Sequence, residues 1–205
     1  WSGENTSRTT IAVPEVQVEL LRQLKSTGKK INVILSNGRP LDLSKVEPLA
    51  DAILEIWQPG VPGGRPAAGA LSGRVNPSGK LAVTFPYSTG QIPIYYNRRK
   101  PARLPDHGLY KDMISEPLYS FGHGLSYSNF EYGKVSLSAT SVKKGGKLKA
   151  SVTVKNTGDV DGAETVMWFI SDPYCRISRP VMELKHFEKK MIPSGKSAVY
   201  EFEID

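Results

Sequence analysis

The chain has 205 residues, enough for one large domain or two small ones and for a core that needs no disulfide support. Hydrophobic residues at 39% and charged residues at 23% exclude a disordered composition, and no apolar run approaches the roughly 20 residues of a membrane helix. The net charge of +7 raises nucleic-acid binding, but the densest patch, Arg98-Arg99-Lys100 with Arg103, has no aromatic stacking platform, so no nucleic-acid or membrane partner is expected.

The first half reads as α/β. Residues 14–24 carry Val16, Val18, Leu20, Leu21 and Leu24 near helical spacing, with Pro14 suited to a first turn and Thr27-Gly28 as a stop. INVILSNG, residues 31–38, is a nearly continuous apolar run ended by Asn-Gly and predicts a buried parallel strand. Residues 41–46 read as a loop or a short helix. AILEIW, residues 52–57, predicts a second buried strand and runs into QPGVPGGRP, with three glycines and three prolines in nine residues. Residues 67–71 predict one or two helical turns, RVNPSGKL is turn chemistry, and LAVTF, residues 81–85, predicts a third strand. The alternating order is that of an α/β fold. Three strands are few for a doubly wound sheet, so part of the sheet is expected upstream of Trp1.

Residues 86–126 form a long connection with five prolines (Pro86, Pro93, Pro101, Pro105, Pro117) and the aromatics Tyr87, Tyr95, Tyr96, Tyr110, Tyr119 and Phe121. A free linker is polar and flexible, so this one is expected to pack as a strap. The second half reads as all-β. Residues 130–138, 148–155, 165–171, 183–191 and 198–204 are alternating or β-rich, and KKGGK, NTGDVDG and IPSGK separate them. Short strands at this spacing predict a β-sandwich, small or incomplete, since about seven strands are usual.

Six stretches in this order carry a resemblance. They are SGENTSRTTIAVPEVQVELL, INVILSNGRPL, ADAILEIWQPGVPGG, GRVNPSGKLAVTFPYSTGQIPIYYN, PLYSFGHGLSYSNFEYG and ELKHFEKKMIPSGKS. Together they resemble the C-terminal part of family 3 glycoside hydrolases, the β-glucosidase and β-xylosidase type, and GQIPIYYNRR with LYSFGHGLSY points to bacterial members. Such proteins join a (β/α)8-type barrel, an α/β sandwich and often a fibronectin type III-like sandwich. The resemblance implies α/β plus all-β here: residues 1–86 as the later part of the three-layer α/β sandwich, 87–126 as the strap, and 127–205 as a truncated fibronectin type III-like domain. The barrel and the first strands of the α/β sandwich are then missing. WSGENTSRT is expected to be a cut inside a larger enzyme, and the resemblance implies a periplasmic or extracellular location.

Retaining glycosidases use two carboxyl groups about 5 Å apart, one attacking the anomeric carbon and the other acting as acid and then base. In proteins similar to this one the nucleophile is an aspartate on the barrel, so it is not in this chain. The acid/base is often a glutamate in a Ser-Gly-Glu-like stretch, and Glu4 in SGENTSR matches it. Gly3 permits an unusual turn beside it. Arg8 is expected to anchor the structure rather than pair with Glu4, because a guanidinium lowers a carboxyl pKa and an acid needs the opposite. Read from the residue alone, Glu4 is a surface carboxylate or a helix cap, and only the resemblance favours the catalytic role. The resemblance implies a hydrolase of terminal β-D-glycosides in the full-length protein, with a β-linked glycoside and the missing barrel as partners and an inactive isolated chain. The alternative is a carbohydrate- or protein-binding module using Tyr95, Tyr96, Trp57 and Trp168 as stacking faces.

Other polar residues are expected to be structural. Lys185-His186 falls in the fibronectin-like stretch and reads as strand surface. His123 reads as a packing residue of the strap, and His107 lies in its variable part. The three histidines are too scattered for a metal site, and no cofactor is expected. Cys175 is the one cysteine and has no neighbouring base. The glycines around Arg65 lack the Lys-Ser/Thr ending of a phosphate loop.

Overall fold

Helix α1, Glu15–Ser26, begins directly after Pro14, whose ψ of 133° keeps it outside the helix as the N-cap. Glu15 in the first turn and Lys25 in the last complement the helix dipole. Val18 is fully buried and Leu21 packs beside it, whereas Val16, Leu20 and Leu24 are exposed. The apolar residues thus serve two faces of α1, and only one is covered among the described residues. The structure is a computed structural model that describes residues 5–100 and 108–204. By its contacts the chain divides into two units, Trp1–Ser72 with Leu81–His123, and Gly73–Lys80 with Gly124–Asp205.

In the first unit, strands β1 (Asn32–Leu35) and β2 (Ala52–Glu55) pair in parallel, with Asn32 opposite Ala52 and Leu35 opposite Glu55. Both predicted strands are present, but neither is buried throughout: only Leu35 of β1 is buried, Ile34 is exposed, and β2 is exposed at Ala52 and half-buried from Ile53 to Glu55. Leu35, Leu43, Val46 and Phe85 form the core with Val18, and Val33, Ile53 and Trp57 pack onto it. Helix α2 runs from Gly64 to Leu71, slightly longer than expected.

The expected third strand at 81–85 is not one. Only Phe85 makes a β-bridge, antiparallel to Tyr119. Its N–H donates to the Tyr119 carbonyl at 2.8 Å, and the Tyr119 N–H returns the bond at 3.2 Å. Pro86 follows and has no N–H to continue a ladder. The Phe85 ring meets Trp57 and Tyr119 at 5.9 and 6.4 Å between centroids. Of the long connection, Leu118 and Tyr119 pack on the core of this unit. Buried Gln91 accepts from the Tyr87 N–H and donates to the carbonyls of Ile114 and Glu116, closing the strap on itself.

The second unit is a six-stranded β-sandwich. β3 (Phe130–Tyr132) and β4 (Ser136–Leu137) share one edge of β5 (Leu148–Asn156), and β8 (Ser197–Ile204) takes the other. β6 (Gly162–Ile170) and β7 (Glu183–Ile192) form the second sheet. The expected single strand over 130–138 is split. Tyr132 faces Val154 and Ser136 faces Ser151, four steps against three, so one residue bulges out. Alternation along β5 buries Ala150, Val152 and Val154 against Val166, Trp168, Ile192 and Tyr200.

Residues 73–80 were expected in the α/β unit, and their contacts lie in the second. The Asn76 amide donates to the Asp161 carbonyl at 2.9 Å and accepts from Ser126 Oγ and the Tyr127 N–H. Lys80 pairs with buried Glu164 at 3.2 Å, and the Tyr132 hydroxyl donates to the same carboxylate at 2.7 Å.

Candidate functional site

In open α/β sheets ligands gather beyond the carboxyl ends of parallel strands. Here those ends are Ser36 to Arg39 after β1 and Ile56 to Gln58 after β2. Glu4 and Gly3 lie outside the described residues. The next residue, Asn5, is left-handed with φ 56°, a conformation asparagine tolerates better than most.

The stretch that follows is held by Arg39. Its Nη1 donates to Ser7 Oγ at 3.1 Å, and its Nη2 donates to the carbonyls of Arg8 and Thr10 at 3.2 and 3.0 Å. Further along, the Asp42 N–H donates to the Ile11 carbonyl, and Ala12 bridges Asp42 in parallel. Arg39 is therefore an anchor of this stretch, and the Arg8 carbonyl is one of its three acceptors.

Arg39 is itself fixed by the end of β1. The Asn37 amide donates to the Arg39 carbonyl at 2.9 Å and closes the turn. A Cβ at Gly38 would meet Gln58 Nε2 at 3.0 Å, so the turn runs close to the end of β2. Glu55, the last residue of β2, accepts the Trp57 N–H at 2.6 Å. Its other oxygen, Oε2, and Asn37 Oδ1 are buried without a hydrogen-bond partner among the described residues. Burial raises the Glu55 pKa, while the Trp57 N–H and the Asn37 side chain pull the other way. Burial thus shifts Glu55 toward the neutral acid.

Trp57 is left-handed at φ 51°, which for a bulky residue costs on the order of 1–3 kcal/mol. Three contacts hold it there: Glu55 on its N–H, Ser36 Oγ donating to its carbonyl at 3.0 Å, and Phe85 against its ring. Sequence reasoning missed Arg39, Asn37 and Glu55. The available signal was position, since NGR and the Glu of AILE directly end two apolar parallel strands.

The remaining candidates disperse. Lys185 is exposed and paired with Glu183 at 2.6 Å. His186 is half-buried on β7, stacked on Phe202 with 5.3 Å between ring centroids. It lines an open groove of about 630 Å³ with Glu188, Lys190, Val199 and Glu201. His123 stacks on Tyr119 at 4.9 Å. Trp168 is buried, Trp57 packs on the core, Tyr96 stacks on Phe121 at 4.3 Å, and Tyr95 is exposed. Arg65 is exposed on α2. The Cys175 thiol is held above its ordinary pKa by desolvation and by the Asp172 charge, the wrong direction for a nucleophile. Arg103 and His107 lie outside the described residues. Among the described residues, no group of three or more His, Cys, Asp or Glu side chains is placed to hold a metal, and no helix is long and apolar enough to cross a membrane.

Residues 1–127 match the glycosyl hydrolase family 3 C-terminal domain, and residues 164–205 match a fibronectin type III-like domain. Over 98% of its length the chain is 44% identical to the periplasmic beta-glucosidase of Salmonella typhimurium, and 36% identical to a beta-xylosidase of Formosa agariphila. The crystal structure of a beta-glucosidase from Listeria innocua in complex with isofagomine superposes on the whole chain with a TM-score of 0.93 at 41% identity. The chain spans 27%, 28% and 30% of the lengths of these three proteins.

Proposed function

Because the chain belongs to the family of the glycosyl hydrolase family 3 C-terminal domain, we propose that it is the C-terminal part of a retaining, exo-acting β-glycosidase, and that Glu4 is its general acid/base. The observation that carries this reading is similarity to β-glucosidases along nearly the whole chain, SGENTSR included. Residues 1–72 with 81–86 are assigned as the later α/β sandwich, 87–126 as the strap, and 127–205 with the inserted 73–80 as the fibronectin-like domain. The exposed Val16, Leu20 and Leu24 on α1 and Ile34 on β1 support further layers in the full protein, since parallel sheets are covered on both faces.

In the proposed reaction a barrel aspartate attacks the anomeric carbon of a terminal β-D-glycosyl residue. Glu4 protonates the departing oxygen. It then removes a proton from the water that releases the sugar. With nucleophile and sugar pocket on another domain, the isolated chain has no turnover. A periplasmic location in a bacterium is the counterpart of the Salmonella relative's. A separate binding-module role has less support, because Trp57, Tyr96 and Trp168 are engaged in packing.

The test has two arms. In the full-length protein, Glu4→Gln is expected to lower kcat/KM on a β-linked disaccharide by about 10²- to 10⁴-fold. The isolated chain is expected to leave an aryl β-glucoside uncleaved. A Glu4→Gln variant with unchanged kinetics, or turnover by the isolated chain clearly above buffer, overturns the corresponding part.

A further inference from the structure

The role of Arg39 follows from how it is held and what it holds. Its guanidinium carries five N–H donors in a rigid planar fork. Three hydrogen bonds go to acceptors spread over residues 7–10, one hydroxyl and two backbone carbonyls. They therefore fix the path of the backbone rather than one side chain. The other end is equally constrained. Arg39 stands four residues beyond the end of β1, its carbonyl is tied by Asn37, and Pro40 fixes the next φ. The Asp42 to Ile11 bond and the Ala12–Asp42 bridge carry the same pairing forward. Residues 7–12 are thus laid against the chain leaving a parallel strand.

Glu4 precedes Ser7, the first anchored residue, by three positions. Three residues reach at most about 10 Å from an anchor, and left-handed Asn5 fixes one of the intervening turns. A misplacement of about 1 Å can cost about 10²-fold in rate. We propose that Arg39 is a positioning residue for the acid/base: its three-point clamp on residues 7–10 holds the chain that carries Glu4 at the working distance. The inference rests on the reading of Glu4 given above. Arg39 itself touches neither sugar nor reacting atoms in this scheme.

The clamp predicts a pattern that loss of fold does not. In the full-length protein, Arg39→Ala is expected to lower kcat on a β-linked disaccharide by about 10- to 100-fold, because that leaving group needs a proton. Glycosyl transfer from a dinitrophenyl β-glucoside, whose phenolate leaves unprotonated, is expected to fall far less. Azide is expected to restore turnover of the activated substrate. It attacks the anomeric carbon of the glycosyl-enzyme, the bond to the aspartate oxygen breaks, and glycosyl azide leaves with no proton to remove. Arg39→Lys keeps the charge but not the fork and is expected to show the same selectivity.

Should Arg39→Ala not accumulate as folded protein, Ser7→Ala removes one of the three bonds and is expected to show the same selectivity with a smaller loss. Equal losses on both substrates, or no azide effect, in folded Arg39 and Ser7 variants overturn the clamp. If Glu4→Gln shows the leaving-group dependence and azide rescue while the Arg39 variants do not, this inference alone fails. If Glu4→Gln lacks them, the acid/base assignment fails first.

Discussion

Asn156 in the β-sandwich and Arg39 in the α/β unit both fasten loops through several hydrogen bonds, but they stand in different surroundings. Asn156 has no exposed surface. Its amide donates to the carbonyls of Val160 and Ile192 and accepts from Ser128 Oγ and the Gly158 N–H. Remove it and several groups lose partners that water does not readily replace. Arg39 is half-buried, and its bonds to residues 7–10 lie at the surface, so water can take its place. The first arrangement contributes stability and the second contributes position. A stability screen detects one and overlooks the other.

The contrast is most easily broken at Tyr200, whose ring is fully buried in the sandwich core and whose hydroxyl donates to the Glu164 carbonyl at 2.9 Å. Tyr200→Ala is expected to destabilise the sandwich by about 3–5 kcal/mol. Amide hydrogen exchange reads this unit by unit: protection should fall across β5 to β8 and stay intact in β1 and β2. Equal loss in both units would mean that they unfold together.

Asn156→Ala and Arg39→Ala sharpen the contrast directly. About 2–3 kcal/mol is expected for the first and under about 1 kcal/mol for the second, read by the same exchange measurement. A large loss at Arg39 would make its hydrogen bonds structural.

The smallest effect is a pH dependence of the α/β unit. Asp51 accepts the Ile31 N–H at 2.9 Å and pairs with Lys30 and Lys25. The Ile31 N–H first, then Lys30, lower its pKa from 3.8 to about 2. A depressed carboxyl pKa adds stability above the unfolded value and loses it as pH falls toward the folded one. The contribution is therefore present above about pH 4 and gone near pH 2. Asp51→Asn should flatten that part of an acid titration, and an unchanged profile would remove Asp51 from the account.

Legibility in the sequence differed between the units for the same reason. KASVTVKN announces β5 because alternation is a property of neighbours along the chain, and β1 and β2 are announced by their apolar runs. LAVTF is as apolar as either, yet its single bridge depends on Tyr119, which lies 34 positions beyond Phe85. Arg39 was invisible because two of its acceptors are backbone carbonyls, and every residue has one. The Lys80–Glu164 pair joins residues that no local pattern relates. Glu4 was singled out only through the resemblance of SGENTSR to a known family.

The placement of residues 73–80 has a practical consequence for anyone recombining members of this family. The chain leaves the first unit at Gly73, returns to it at Leu81, and leaves again at Gly124. A crossover placed at the boundary that sequence similarity suggests, near residue 127, would give the sandwich a foreign Asn76 and Lys80. Buried Glu164 would then depend on a cation inherited from another parent. A chimera that carries 73–80 along with 124–204 keeps the pair intact. The exchangeable module is discontinuous in sequence, and the short insert has to travel with it.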